Sequence, residues 1–126
     1  MNEHVRNGVG GVRPFVYGRL DLIDFVKGVF GATELDRNKV ANGFHAQVQI
    51  GDSVLVLSAM EPPYEEAPRA SIYVYVVDAT FDRAIGAGAT PLGKPTDRPF
   101  QERTVGVKDT FGNVWYVATY TGGVAR

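Results

Sequence analysis

The chain has 126 residues, near the usual size of one domain and enough to bury a real core. Its charges nearly cancel at a net of −1, and no Lys/Arg cluster traces a phosphate track, which argues against a nucleic-acid partner. With no cysteine it has neither disulfides nor thiolate metal sites. It shows no secretory leader and no apolar run of membrane-spanning length, so it reads as a soluble cytoplasmic protein with no membrane partner.

Glycines punctuate the opening Asn7-Gly8-Val9-Gly10-Gly11, and residues 1–11 read as a flexible leader ahead of one domain over 12–126. Residues 12–17 are β-branched and aromatic and predict a strand despite Pro14. Leu22, Ile23, Val26, Val29 and Phe30 then recur at helical spacing, with Gly31 placed as the C-cap. A short strand is expected over 33–37, where alternation is weak. In 44–50 alternation is strict: Ala46, Val48 and Ile50 fall on one face, His45, Gln47 and Gln49 on the other. Gly51-Asp52-Ser53 turns the chain into a more buried strand over 54–57, closing a first module over 12–60.

A connector rich in Pro and Glu, 61–69, separates this from a second module over 70–120. There the order repeats. Residues 71–77 predict a strand, Asp78 is placed to cap a helix from Ala79 to about Ala87, and Gly88 ends it. A short strand is expected over 90–94, interrupted by Pro91 and Pro95. Strands over 102–107 and 114–119 flank the turn Asp109-Thr110-Phe111-Gly112-Asn113. Phe30-Gly31-Ala32-Thr33 echoes in Ala87-Gly88-Ala89-Thr90, and the same element order follows, which supports duplication of one unit.

Several pieces in this order resemble the glyoxalase/bleomycin-resistance/dioxygenase (vicinal oxygen chelate) superfamily, in particular its PhnB-like branch. They are Ile23-Asp24-Phe25 with Val29-Phe30-Gly31-Ala32, the stretch from His45 to Leu55, residues 84–90, and Lys108-Asp109-Thr110-Phe111-Gly112-Asn113-Val114-Trp115. The resemblance implies an α+β fold of two tandem βαβββ modules forming a curved eight-stranded sheet. It also implies a small organic molecule bound in the concavity, and a homodimer.

Metal-dependent members of that superfamily draw His, Glu or Gln ligands from four strands. The resemblance places those positions at Arg13 (or Gly11 without a gap), Val56, Ser71 and Tyr116. Valine has no donor, arginine stays protonated, and neutral serine and tyrosine are poor ligands for Zn²⁺, Fe²⁺ or Mn²⁺. No metal and no other cofactor is therefore expected.

Strand parity aims Tyr73 and Tyr75 the same way as Ser71, and Phe15 and Tyr17 the same way as Arg13. His45 and Gln47 join Val56, and repeat equivalence sets Glu102 opposite His45. Aromatic rings with a few polar groups suit a partly aromatic organic ligand. Each residue also has a plainer role. The tyrosines can be packing, His45 a solvated strand residue, and Arg13 the partner of Glu102 or of another carboxylate across a dimer. The connector with Glu61, Tyr64, Glu65 and Glu66 is either a solvated loop or a lid.

Three functions follow. The first is a metal-free protein that holds an aromatic or cationic molecule. The second is a lyase, isomerase or dioxygenase-like enzyme using His45 and Glu102 as an acid/base pair. The third is a metal enzyme with a relocated site built from His45, Glu102 and His4.

Overall fold

The computed structural model describes residues 4–64 and 67–122. Among the described residues the fold is α+β, with nine strands, two α-helices, a 3-10 turn at Arg6–Gly8 and two sheets. The chain divides into two compact units between Pro68 and Arg69, inside the Pro/Glu-rich connector.

In the first unit β1 (Phe15–Arg19) leads into α1 (Leu22–Phe30), then β2 (Thr33–Val40), β3 (Gly43–Ile50) and β4 (Ser53–Met60). The sheet order is β1-β4-β3-β2, with β1 parallel to β4 and the other pairs antiparallel. The parallel pair needs a long crossover, which α1 and the β2–β3 hairpin supply. Helical periodicity buries Leu22, Ile23, Val26, Val29 and Phe30. Gly31 adopts the left-handed conformation and donates its N–H to the Lys27 carbonyl, closing the helix as its position predicted. The helix packs on the face carrying Val16, Ala46, Val48 and Leu57, all fully buried. It comes so close to β1 that a Cβ on Gly18 would lie 2.9 Å from the Leu22 side chain.

Strand limits differ from expectation in informative ways. Pro14 lacks an N–H, so β1 begins only at Phe15, although the Pro14 carbonyl still accepts from Val56 N at 2.9 Å. β2 runs three residues beyond Arg37, because pairing with β3 supplies backbone partners that its weak alternation does not advertise. A bulge between Glu34 and Asp36 accounts for that broken alternation.

The second unit runs β5 (Ser71–Tyr75), α2 (Ala79–Gly86), β6 (Thr90–Pro91), β7 (Thr96–Arg98), β8 (Glu102–Lys108) and β9 (Val114–Tyr120). Its order is β5-β9-β8-β6, and β7 also pairs with β8. Here the unit's second strand is split in two, since neither Pro91 nor Pro95 can donate to a ladder. Asp78 does not cap α2 with its side chain. Its own backbone is helical, and its carboxylate instead accepts from Arg103 Nη1 at 2.9 Å.

The turn before β9 is organised by a buried carboxylate. One oxygen of Asp109 accepts the backbone N–H groups of Phe111, Gly112 and Asn113 at 2.9–3.0 Å. The other accepts Asn113 Nδ2 at 2.9 Å and Trp115 Nε1 at 3.0 Å. Asn113 Oδ1 in turn accepts from Ala70 N at 2.8 Å, fixing the start of β5 beside β9. The fully buried Trp115 is thus hydrogen-bonded as well as packed, as a buried indole requires.

Candidate functional site

In the first unit, the sheet face away from α1 is built by register. Phe15 pairs with Val56, Val56 with Gln47, and Gln47 with Asp36, so these four side chains form one row across the sheet. Tyr17, Ser58, His45 and Asn38 form the next. The Phe15 ring leans on Tyr17 at 4.9 Å and meets His45 edge-on at 5.9 Å between centroids. Phe15 keeps 44% of its surface exposed, which leaves an aromatic face free for contact.

Arg13 ends this face. Its Nη1 donates to Gln47 Oε1 and its Nε to the Gly10 carbonyl, both at 2.7 Å, while Nη2 reaches the carbonyls of Val9, at 2.8 Å, and Arg6. Within its own chain Arg13 is held by backbone carbonyls and the Gln47 amide rather than by Glu102. Residues 6–10 come from the stretch read as a leader, and they lie along this edge. Arg6 pairs with Asp36 Oδ2 at 2.8 Å, and Gly10 abuts Val54.

In the second unit, the face away from α2 gathers tyrosines around one acid. Tyr73 and Tyr116 are register partners with centroids 6.1 Å apart, and Tyr75 meets Tyr73 edge-on at 5.5 Å. The Glu102 carboxylate accepts the Tyr75 hydroxyl at 2.5 Å and, through its other oxygen, the Tyr73 hydroxyl. Those bonds, the one from Tyr73 foremost, hold the Glu102 carboxyl below its usual range. The same bond pushes the Tyr73 phenol up to about 12, and the Tyr75 phenol is also raised. Arg98, the cross-strand partner of Glu102, turns its Nε to the Thr104 hydroxyl at 2.8 Å. Tyr73, Tyr75 and Tyr116 remain 41–61% exposed. The result is an ionised carboxylate set among exposed aromatic rings.

Of the residues expected at the site, Phe15, Val56, Gln47, His45 and Arg13 cluster in the first unit. Tyr73, Tyr116 and Glu102 cluster in the second. Ser71 is exposed and opens β5 beside Val114, two residues before Tyr73. Tyr120 was missed: it is exposed, sits opposite Glu102 in register, and lies four residues beyond Tyr116 on the same face, a parity that β9 displays.

The comparisons settle the family. The model of the Glyoxalase/Bleomycin resistance protein/Dioxygenase superfamily matches residues 21–117, more than half of the chain. The chain belongs to that superfamily. No curated protein matches it. Among solved structures, TioX from Micromonospora sp. ML1 is similar at 24% identity and a TM-score of 0.63, covering 87% of this chain and 99% of its own. Fosfomycin resistance protein FosX from Mesorhizobium loti is similar at 24% identity and a TM-score of 0.59, covering 90% and 95%. A glyoxylase/bleomycin resistance protein/dioxygenase domain from Frankia sp. EAN1pec reaches a TM-score of 0.70 at 18% identity, covering 92% and 96%. At these identities the likeness is one of fold.

The superfamily's metal does not fit the donors found here. Val56 offers none, and Arg13 spends its guanidinium on carbonyls and Gln47. Ser71 and Tyr116 offer only neutral hydroxyls, poor ligands for borderline divalent ions. Among the described residues no three His, Asp or Glu side chains are grouped to hold an ion. Nor is any described helix long and apolar enough to cross a membrane.

Proposed function

We propose that this superfamily member is a metal-free small-molecule-binding protein that holds an aromatic or cationic organic ligand. One observation carries the reading: Glu102 is ionised, doubly hydrogen-bonded by Tyr73 and Tyr75, and bordered by exposed rings. A cation over a tyrosine face gains about 0.5–2 kcal/mol, and a carboxylate beside it adds charge complementarity. Phe15 and His45 in the first unit offer a second aromatic surface. A metal-independent enzyme using His45 and Glu102 is the weaker reading. A carboxylate whose proton affinity is lowered by two donors is a poor general base.

The matches at Ile23–Ala32 and Lys108–Trp115 support placement in the PhnB-like branch. A cytoplasmic homodimer completes the proposal, because β1, β2 and β5 are sheet edges that subunit pairing would cover. Such an interface should bury more than about 1,200 Å², and a monomer by light scattering at micromolar concentration contradicts it.

Ligand binding is tested by thermal shift against neutral aromatic, cationic aromatic and anionic compounds. Fosfomycin belongs in the panel because a structure of similar fold is a fosfomycin resistance protein. Cationic aromatics should raise the melting temperature of the native protein and raise it less in Glu102→Gln. A panel with no response, or equal responses in Glu102→Gln, removes the reading.

A further inference from the structure

The two units spend their helices differently. Aligned on Phe30-Gly31-Ala32-Thr33 and Ala87-Gly88-Ala89-Thr90, the positions of Ile23, Val29 and Phe30 are taken in the second unit by Thr80, Gly86 and Ala87. In consequence α1 buries five large apolar side chains, whereas α2 buries only Thr80 and Ala84. A cavity of about 240 Å³ lies beside α2, on the face of the second sheet opposite Tyr73 and Glu102.

The lining is of two kinds. Phe81, Pro95, Val105 and Val117 make an apolar wall. Asp78, Asp82 and Arg103 make the charged rim. Arg103 is already held by two carboxylates, Asp78 at 2.9 Å and Asp97 at 2.8 Å, so its charge is spent within the protein. Asp82 makes no ion pair or hydrogen bond among the described residues. Asp78 and Asp97 already balance Arg103, so the Asp82 carboxylate adds a negative charge that this guanidinium does not offset.

We infer that this cavity is a second ligand site, independent of the tyrosine face, which takes a small amine carrying an apolar body. The ammonium group would sit at Asp82 and the body against Phe81, Val105 and Val117. An anion would meet the uncompensated carboxylate, and a neutral isostere would gain only the apolar wall.

The test uses the full chain, ¹⁵N-labelled, titrated with phenethylamine, 2-phenylethanol and phenylacetate, three probes of similar shape and different charge. Phenethylamine should shift the amides of Phe81, Asp82, Val105 and Val117 saturably. It should bind about tenfold tighter than the alcohol, the gain of one charge-assisted contact, with phenylacetate weakest. Asp82→Asn, at an exposed position, should abolish the amine's advantage while leaving the alcohol unchanged. The same shifts should persist in Glu102→Gln, which separates this site from the tyrosine face. Shifts confined to Tyr73, Tyr75 and Tyr116, equal affinity for amine and alcohol, or an unaltered preference in Asp82→Asn would each overturn the inference.

Discussion

Tyr73 donates its phenolic hydrogen to Glu102 across an intervening strand. Tyr73 stands on β5 and Glu102 on β8, and β9 runs between them. The reach is possible because the next row of β9 carries Ala118, whose small side chain lets the tyrosines lean toward β8. Two phenols thereby fix the position of the Glu102 carboxylate, which would lower the entropy lost by a ligand bound there.

That arrangement has a pH signature. The bond to Glu102 favours the protonated phenol, so the Tyr73 pKa rises from 10.0 to about 12. Its contribution to stability is complete below pH 10 and is lost as pH rises through about 12. Glu102 has the opposite sign: lowered from 4.5, it contributes above that pH and the contribution fades as acid protonates it. Ultraviolet absorbance titration of the phenolate should show two tyrosines ionising late. Glu102→Gln should return both toward ordinary values. An unchanged titration curve in that variant would show that the bonds do not form in solution.

Divalent ions should not stabilise the protein. A metal that binds the native state must raise its melting temperature, and the donors at Arg13, Val56, Ser71 and Tyr116 do not suit one. Zn²⁺, Mn²⁺, Ni²⁺, Fe²⁺ and EDTA should all leave thermal unfolding where it is. A reproducible rise with one ion, lost in His45→Ala, would restore a relocated metal site.

Asp109→Ala should be among the most damaging single changes. It removes the acceptor of five hydrogen bonds in the turn before β9, the Trp115 indole's among them, while the Gly112 N–H keeps the Asp109 carbonyl. Unsatisfied buried donors cost about 1–3 kcal/mol each where water cannot replace the acceptor, so a loss of about 3 kcal/mol or more is expected. Urea unfolding measures it, and a loss below about 1 kcal/mol would mean that water satisfies the turn.

Acid stability should depend on Glu34. Its carboxylate accepts from Arg37 Nε at 2.8 Å and Nη2 at 2.9 Å, and from Lys27 Nζ at 3.0 Å. Hydrogen bonding to Arg37 is the main reason its pKa falls from 4.5 to about 2. The stabilisation is present above pH 4.5 and is lost as pH falls through about 2. Glu34→Gln should flatten the acid limb of the stability curve in that window and leave the neutral-to-basic limb parallel to the native one. A native-like acid limb in the variant would assign the pH dependence elsewhere.

What the sequence determined by itself was local. Helical spacing marked the buried face of α1, Gly31 its end, and period-two alternation the faces of β3, because each of these rules acts within a few residues. The motifs from Ile23 to Trp115 carried the superfamily. Tertiary structure decided the rest, where partners come from far along the chain. Asp78 had a local incentive to cap α2, but Arg103, 25 residues on, offered its carboxylate a charge-assisted bond. Parity could place Arg13 beside Phe15, but not foresee that its guanidinium gathers carbonyls from the segment just before it while bonded to Gln47. Alternation could say that Tyr73 and Tyr75 share a face, but not which acid they meet. That depended on β9 inserting between β5 and β8, a strand order set by non-local pairing, to which period-two spacing is blind.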